Sequence, residues 1–307
     1  MIKKPKKSLG QNFLISQSVV DKIIETANLA QEDIVLEVGP GKGILTQALL
    51  EKAGKVISVE KDDELILFLK EEFSEEIENG KLILIHGDIL TFDFENLGKR
   101  SFLEEERNGV ERRKRCDLGE RFCYKIVANI PYYITGEFLR KMLSLDIQPT
   151  QMVLLVQKEV AQRIAREKKE SVLSISVKAY GEPKYIQTVK RGSFAPAPKV
   201  DSAILSINNI SKSFFITANK KGYPFHEKGS PFYDSEKRFF EVVKAGFAHK
   251  RKFLLSNLEK SQLGRWTSKL LLSKEELKKA FFKAGIDEKA RAEDISLEQW
   301  KQFVQEI

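Results

Sequence analysis

Residues 33–60 read DIVLEVGPGKGILTQALLEKAGKVISVE, and their order decides the fold. The apolar run from Asp33 to Val38 reads as a buried strand, Gly39-Pro40-Gly41-Lys42-Gly43 as a loop, and Ile44 to Ala53 as a helix. A second strand, Lys55 to Val59, ends in Glu60. Strand, glycine loop, helix and strand in that order open an α/β fold with a doubly wound, mostly parallel sheet. Glycines at 39 and 41 let the backbone come close to a ligand, and the helix that follows presents unpaired N–H groups at its start. An acidic residue ending the second strand is placed to accept both hydroxyls of a ribose.

That spacing suits a nucleoside cofactor, and NAD and S-adenosylmethionine both carry an adenosine ribose. The loop separates them. A dinucleotide fingerprint wants glycine at its sixth position, where this chain has Ile44, and Pro40 has no N–H to give a pyrophosphate. Both features point to S-adenosylmethionine and away from a dinucleotide oxidoreductase.

Two more strand ends carry polar groups. Lys81 to His86 reads as a strand running into Asp88, which can accept from the adenine amino group; the alternative is a turn aspartate capping the next segment. Tyr124 to Ala128 reads as a strand stopped by Asn129-Ile130-Pro131-Tyr132. Pro131 stiffens this corner and holds Ile130 extended. The Asn129 side-chain oxygen and the Ile130 carbonyl can both accept from one exocyclic NH2 group, while the Tyr132 ring stacks on the base that carries it. A ring-conjugated amine is a poor nucleophile because its lone pair is delocalised. Two acceptors on its hydrogens favour a pyramidal nitrogen with that pair free. Gly39, Glu60, Asp88 and Asn129 each end a strand, and in open parallel sheets ligands sit beyond those ends.

The rest of the chain sets the context. It has 307 residues, 42% hydrophobic and 31% charged, with a formal net charge of +8, which favours a polyanionic partner. Its two cysteines, Cys116 and Cys123, give no metal site and no reason to expect a disulfide framework. No apolar run reaches membrane-spanning length and no signal peptide is evident, so a cytoplasmic setting is expected. Lysines 3, 4, 6 and 7 make a basic arm that runs into a segment able to close over a ligand. Ser18 to Ala30 has a helical apolar stripe. Residues 98–121 are almost wholly charged and read as a surface insertion, joined to the strand edge away from the ligand. In the Pro-rich link at 191–200, Phe194 is a candidate second wall for a flipped base, with core packing as its alternative, and Lys199 a candidate phosphate contact. Composition shifts near 208. The expected division is therefore a cofactor domain at 1–207, then a linker and helical domain at 208–307, with helices at 236–247, 251–258, 274–284 and 297–304. His249-Lys250-Arg251-Lys252 forms a basic cluster at a helix start.

The motifs LGQNFL (9–14), VLEVGPGKGILT (35–46), VISVEKD (56–62), GDIL (87–90), NIPYYIT (129–135), LLVQKEVAQRI (154–164), SFAPAPKVDSA (193–203), FAHKRKFLLSNL (247–258) and ARAEDISLEQW (290–300) occur in one order along nearly the whole chain. Together they resemble the KsgA/RsmA-type small-subunit rRNA adenine N6,N6-dimethyltransferases. The resemblance implies a Rossmann-like class I methyltransferase domain with a seven-stranded sheet, one strand antiparallel, plus a small all-α C-terminal domain that contacts RNA. It implies S-adenosylmethionine as cofactor, held by Asn12, Leu14, Gly39, Gly41, Glu60, Asp88 and Asn129. It implies a target base held by Asn129, Ile130, Tyr132 and Phe194. The implied reaction is dimethylation of two adjacent adenosines in the 3′-terminal hairpin loop of small-subunit rRNA, within the immature small subunit, by a monomer that needs no metal. A large-subunit rRNA adenine methylase and a non-enzymatic assembly factor on the same fold are the alternatives. The isoleucine at 130 also occurs in the large-subunit enzymes, whereas the motifs at 247–258 and 290–300 favour the small-subunit family.

Overall fold

The computed structural model describes residues 5–6, 9–94, 123–216, 231–260 and 273–307. Lys3, Lys4, Lys7, the charged insertion at 98–121 and the middle of the 208–235 linker lie outside the described residues. The chain divides into two compact units, Met1–Ala161 with Glu182–Ile210, and Gln162–Gly181 with Ser211–Ile307. The second unit thus takes in a segment well ahead of residue 207.

In chain order the elements are β1 (Phe13–Leu14), α1 (Gln17–Ala27), β2 (Ile34–Val38), α2 (Ile44–Lys52), β3 (Lys55–Glu60), α3 (Asp63–Glu72), α4 (Ser74–Glu78) and β4 (Leu82–His86). They continue with β5 (Lys125–Asn129), α5 (Thr135–Ser144), β6 (Gln151–Gln157), α6 (Lys158–Ala165), α7 (Val172–Tyr180), β7 (Glu182–Val189), β8 (Phe194–Ala195) and β9 (Ser202–Asn208). One seven-stranded sheet has the order β4-β3-β2-β5-β6-β9-β7. The ladders from β4 through β6 are parallel, and β9 runs antiparallel to both its neighbours. This is the class I methyltransferase sheet that the family resemblance implied.

The central strands read as unbroken apolar runs because helices cover both faces of a parallel sheet. Met152, Val153, Leu154, Leu155 and Val156 of β6 are all buried, as are Ile126 and Val127 of β5. Helix α1 stops three residues short of the expected Ala30, because Asn28 adopts a left-handed conformation (φ 44°) and its N–H closes the last turn onto Ile24 and Glu25. Helices α3 and α4 went unread in the sequence. The cap of α3 is Asp62, whose side chain accepts from the Glu64 N–H. The chain winds outward from β2 to β3 and β4, then returns through β5 on the other side of β2. Loops at the carboxyl ends of β2 and β5 therefore diverge, which opens a crevice there.

At the opposite edge of the sheet Lys125 ties three segments together. Its Nζ lies 2.9 Å from Asp33 Oδ2, 3.1 Å from the Ala27 carbonyl and 2.9 Å from the Asn28 carbonyl.

The described part of the second unit is helical: α7, then α8 (Pro231–Gly246), α9 (Leu254–Lys260), α10 (Lys274–Lys283) and α11 (Leu297–Glu306). Trp300, Phe281 and Phe303 fill its core. Helix α9 starts three residues later than expected, so the basic cluster at 249–252 sits in the turn before it. Buried Asn257 clamps that turn, its Nδ2 donating to the carbonyls of Gly246 at 2.6 Å and His249 at 3.1 Å. Among the described residues no helix is long and apolar enough to cross a membrane.

Gly54 leads into β3 and has no room for a side chain: a Cβ there would lie 2.1 Å from the Gln31 carbonyl oxygen. Backbone cannot swing aside as a side chain can, so Gly54→Ala is expected to destabilise the protein by about 1–3 kcal/mol. Urea unfolding checks this, with a lower midpoint and an unchanged slope as the expected result.

Candidate active site

The crevice at the β2/β5 divergence is lined by residues 9–14, Glu37 to Lys42, Ile44, Leu45, Val59 to Lys61, Leu65, residues 87–90 and residues 129–134. It holds about 1110 Å³ of empty space, its open mouth included, which is ample for a nucleoside. Of the residues expected here from the sequence, Asn12, Leu14, Gly39, Gly41, Glu60, Asp88, Asn129, Ile130 and Tyr132 all line it.

Gly39, Gly41 and Gly43 adopt positive φ (65°, 60° and 82°), so the loop folds in a way that side-chain-bearing residues resist. At Gly41 a Cβ would also lie 2.9 Å from the Phe13 ring, so the N-terminal segment packs directly on the loop. Glu60 is buried and takes three backbone N–H groups: Lys61 at 2.8 Å, Asp62 at 2.9 Å and Gly41 at 3.3 Å. Burial still dominates and holds its carboxyl above the ordinary range.

Two residues on, Asp62 anchors the N-terminal arm. Its carboxylate accepts from Lys6 Nζ at 2.6 Å and Gln11 Nε2 at 2.7 Å. The arm thereby lies over the crevice, and the Asn12 carbonyl accepts from Asn129 Nδ2 at 3.1 Å. This bond fixes the Asn129 amide. Its NH2 group is engaged, and its Oδ1 takes no hydrogen bond from any described residue; nor does the Ile130 carbonyl. Tyr132 is half-buried, and its hydroxyl lies 2.6 Å from that of Ser202.

Asp88 is a turn aspartate at the crevice wall. Oδ1 accepts from the Leu90 N–H at 2.9 Å as a turn aspartate does, while Oδ2 pairs with Lys61 Nζ at 2.8 Å at the crevice wall. The Lys61 ammonium, first among the causes, holds the Asp88 carboxyl below its ordinary range. Phe194 is the exception. It does not line the crevice, is 3% exposed, and sits in the core cluster with Phe13 and Leu14, in register with Leu14 across the short β1:β8 ladder. Core packing, the alternative weighed for it, is what the structure gives, because that ladder ties the Pro-rich link to the N-terminal segment. Lys199 is exposed and outside the crevice.

Glu37 was read only as a strand residue, yet it lines the crevice and is 1% exposed. Thr46 and Ser58 hydroxyls donate to its Oε2 at 2.8 and 2.7 Å, while Oε1 has no partner. The signal was present: a glutamate inside an otherwise apolar buried strand requires a reason. Lys61 and Asp62 were also missed, since charged residues flanking a strand end look like solvated surface. Among the described residues no group of three or more His, Cys, Asp or Glu side chains is arranged to hold a metal ion.

The family model for ribosomal RNA adenine dimethylase matches residues 2–225. The chain belongs to the ribosomal RNA adenine dimethylase family. Relatives within it include "Ribosomal RNA small subunit methyltransferase A" of Dehalococcoides mccartyi, 39% identical over 301 residues that cover 98% of this chain and 87% of that protein. The protein of the same name from Clostridium acetobutylicum is 34% identical over 304 residues, covering 98% and 93%. A dimethyladenosine transferase from Plasmodium falciparum shares the dimethylase fold at a TM-score of 0.69 and 24% identity, over 95% of each chain. The 23S rRNA methyltransferase ErmE does so at a TM-score of 0.64 and 23% identity, over 96% of this chain and 99% of that one.

Burial pushes the Glu37 carboxyl from its ordinary 4.5 to about 7, with neighbouring Glu60 adding in the same direction. A carboxyl whose folded pKa is raised binds its proton more tightly in the folded dimethylase than in the unfolded chain. Its contribution to stability is complete below about pH 4.5 and is lost as pH climbs through about 7. Glu37→Gln is expected to remove this component, so the stability of the variant relative to wild type rises between those pH values. Urea unfolding of both proteins across the range, without ligand, checks it.

Proposed function

We propose that the protein dimethylates N6 of two adjacent adenosines in the 3′-terminal hairpin loop of small-subunit rRNA, using S-adenosylmethionine, during assembly of the small subunit in the cytoplasm. The observation that carries this reading is the fixed Asn129 amide. With its NH2 held by the Asn12 carbonyl, Oδ1 and the Ile130 carbonyl are two unengaged acceptors at one stiff corner of the crevice. That pair suits an exocyclic amine: two acceptors can engage both N–H donors of the unmethylated amine, and one of them the single N–H left after the first transfer, each contact favouring a pyramidal nitrogen with its lone pair free.

The crevice fits the cofactor on its own evidence. Glu60 is a buried carboxylate at the strand end where a ribose diol is expected, and the unpartnered Oε1 of Glu37 is an acceptor for the cofactor's ammonium. Asp88 remains an acceptor for an adenine amino group, since a carboxylate offers about four lone-pair sites and two are used here. When bound, S-adenosylmethionine supplies a methyl already activated on a sulfonium. The protein's own task is placement: Asn129 and Ile130 orient the target amine and Tyr132 stacks the base. The N6 proton made acidic by transfer can leave to solvent, so no dedicated base is required. Phe194 would join the base site only if the β1:β8 ladder opened. The formal net charge of +8 and the clamped basic turn at 249–252 support an RNA partner.

Immature small subunits incubated with the protein and labelled S-adenosylmethionine are expected to gain N6,N6-dimethyladenosine at two neighbouring positions, located by nucleoside mapping. Label in large-subunit RNA, or none, would overturn the assignment. Asn129→Ala is expected to cut turnover by about 100-fold or more, in keeping with loss of paired electrostatic contacts to the reacting amine, while RNA binding is retained. Single-turnover methylation and filter binding measure the two separately.

A further inference from the structure

The Tyr132 side chain lines the crevice, but its hydroxyl is engaged by a residue that does not. Ser202 is fully buried. It opens β9, flanked in register by Gln157 of β6 on one side and Val189 of β7 on the other. Because β9 is the reversed strand, its first residue lies at the carboxyl ends of the parallel strands, the edge where the crevice opens. A side chain held between two ladders has little freedom to move. A buried hydroxyl costs stability unless it is paired, and the partner that Ser202 has is Tyr132, at 2.6 Å.

We propose that Ser202 is a positioning residue for methyl transfer: its buried hydroxyl holds the Tyr132 ring at the place where the target base stacks. This inference rests on the reading of Tyr132 as the base platform and extends it to the sheet behind. Tyr132 follows Pro131 in a short 3-10 turn, Tyr132–Ile134, so its backbone is restrained while its ring can still rotate about two side-chain bonds. The hydrogen bond at the far tip removes the first of these rotations before RNA arrives, because that rotation would carry the hydroxyl away from Ser202; the second turns the ring about its own long axis and leaves the oxygen in place. A ring already held at its site spends less of the stacking energy on its own ordering, and it sets the height of the amine relative to Asn129 and Ile130. Partial burial, first among the causes, holds the phenol above its ordinary range, so the hydroxyl keeps its proton at neutral pH.

The test compares Ser202→Ala, Tyr132→Phe, the double variant and Tyr132→Ala on immature small subunits, with cofactor affinity measured by calorimetry. Ser202→Ala and Tyr132→Phe break the same bond from opposite ends, so each is expected to lower kcat/KM for RNA by about tenfold with the cofactor Kd unchanged. The double variant should be no worse than either single, and Tyr132→Ala worse than all three. Should Ser202→Ala fail to fold, Tyr132→Phe carries the test, since its change lies at the half-buried end. Losses that add in the double variant would mean that Ser202 acts through something other than Tyr132, and overturn the proposal. Wild-type rates for Tyr132→Phe beside a damaged Tyr132→Ala would overturn it too, while leaving the platform reading intact. A wild-type rate for Tyr132→Ala would sink the platform reading itself.

Discussion

Strands β2 and β5 lie side by side, yet the chain leaves them toward opposite flanks of the sheet. Two loops that part company cannot cover the gap between them, and the candidate site of the first unit is arranged around that gap. On one flank the glycine loop and Glu60 make a surface lined by backbone; on the other, the prolyl corner presents its acceptors. The N-terminal arm bridges the two, packed on Gly41 through Phe13 and bonded to Asn129 through the Asn12 carbonyl. A single hydrogen bond to the arm thus determines which end of the Asn129 amide is left to the crevice.

The electrostatics follow the same division. Glu37 and Glu60 are buried carboxylates whose protons are held more tightly than in water, while Asp88, nearer solvent, is kept charged by Lys61. A cationic ligand entering between them meets acceptors already desolvated, so less water must be stripped from the protein at the moment of binding. Asp62, two residues after Glu60, faces the other way and spends its charge on holding the arm.

The sheet was legible in the sequence because its information is local. Continuous β-branched runs, a glycine loop and a proline after Asn129 each report on a few neighbouring residues, and the strand ends mark the crevice edge. What stayed hidden depended on pairs distant along the chain. Phe194 could be read as a base wall because nothing in its neighbours reveals that it lies opposite Leu14, 180 residues away. Ser202 looked like any polar residue at a strand start until Tyr132 was found beside it, 70 residues earlier in the chain. Glu37 was legible in principle, since a buried strand rarely carries a carboxylate without use for it. Helices α3 and α4 were missed for another reason: dense acidic residues mask the apolar stripe of Leu65, Ile66 and Leu69.

In the second unit, the turn before α9 carries His249, Lys250, Arg251 and Lys252, all exposed, on a backbone that buried Asn257 grips at two carbonyls. Charges on a gripped turn make a standing field instead of one averaged over a wandering loop. Such a field draws a polyanion from beyond contact range, so capture is fastest in dilute salt. Capture then slows as the Debye length shrinks from about 30 Å at 0.01 M to about 8 Å at physiological ionic strength.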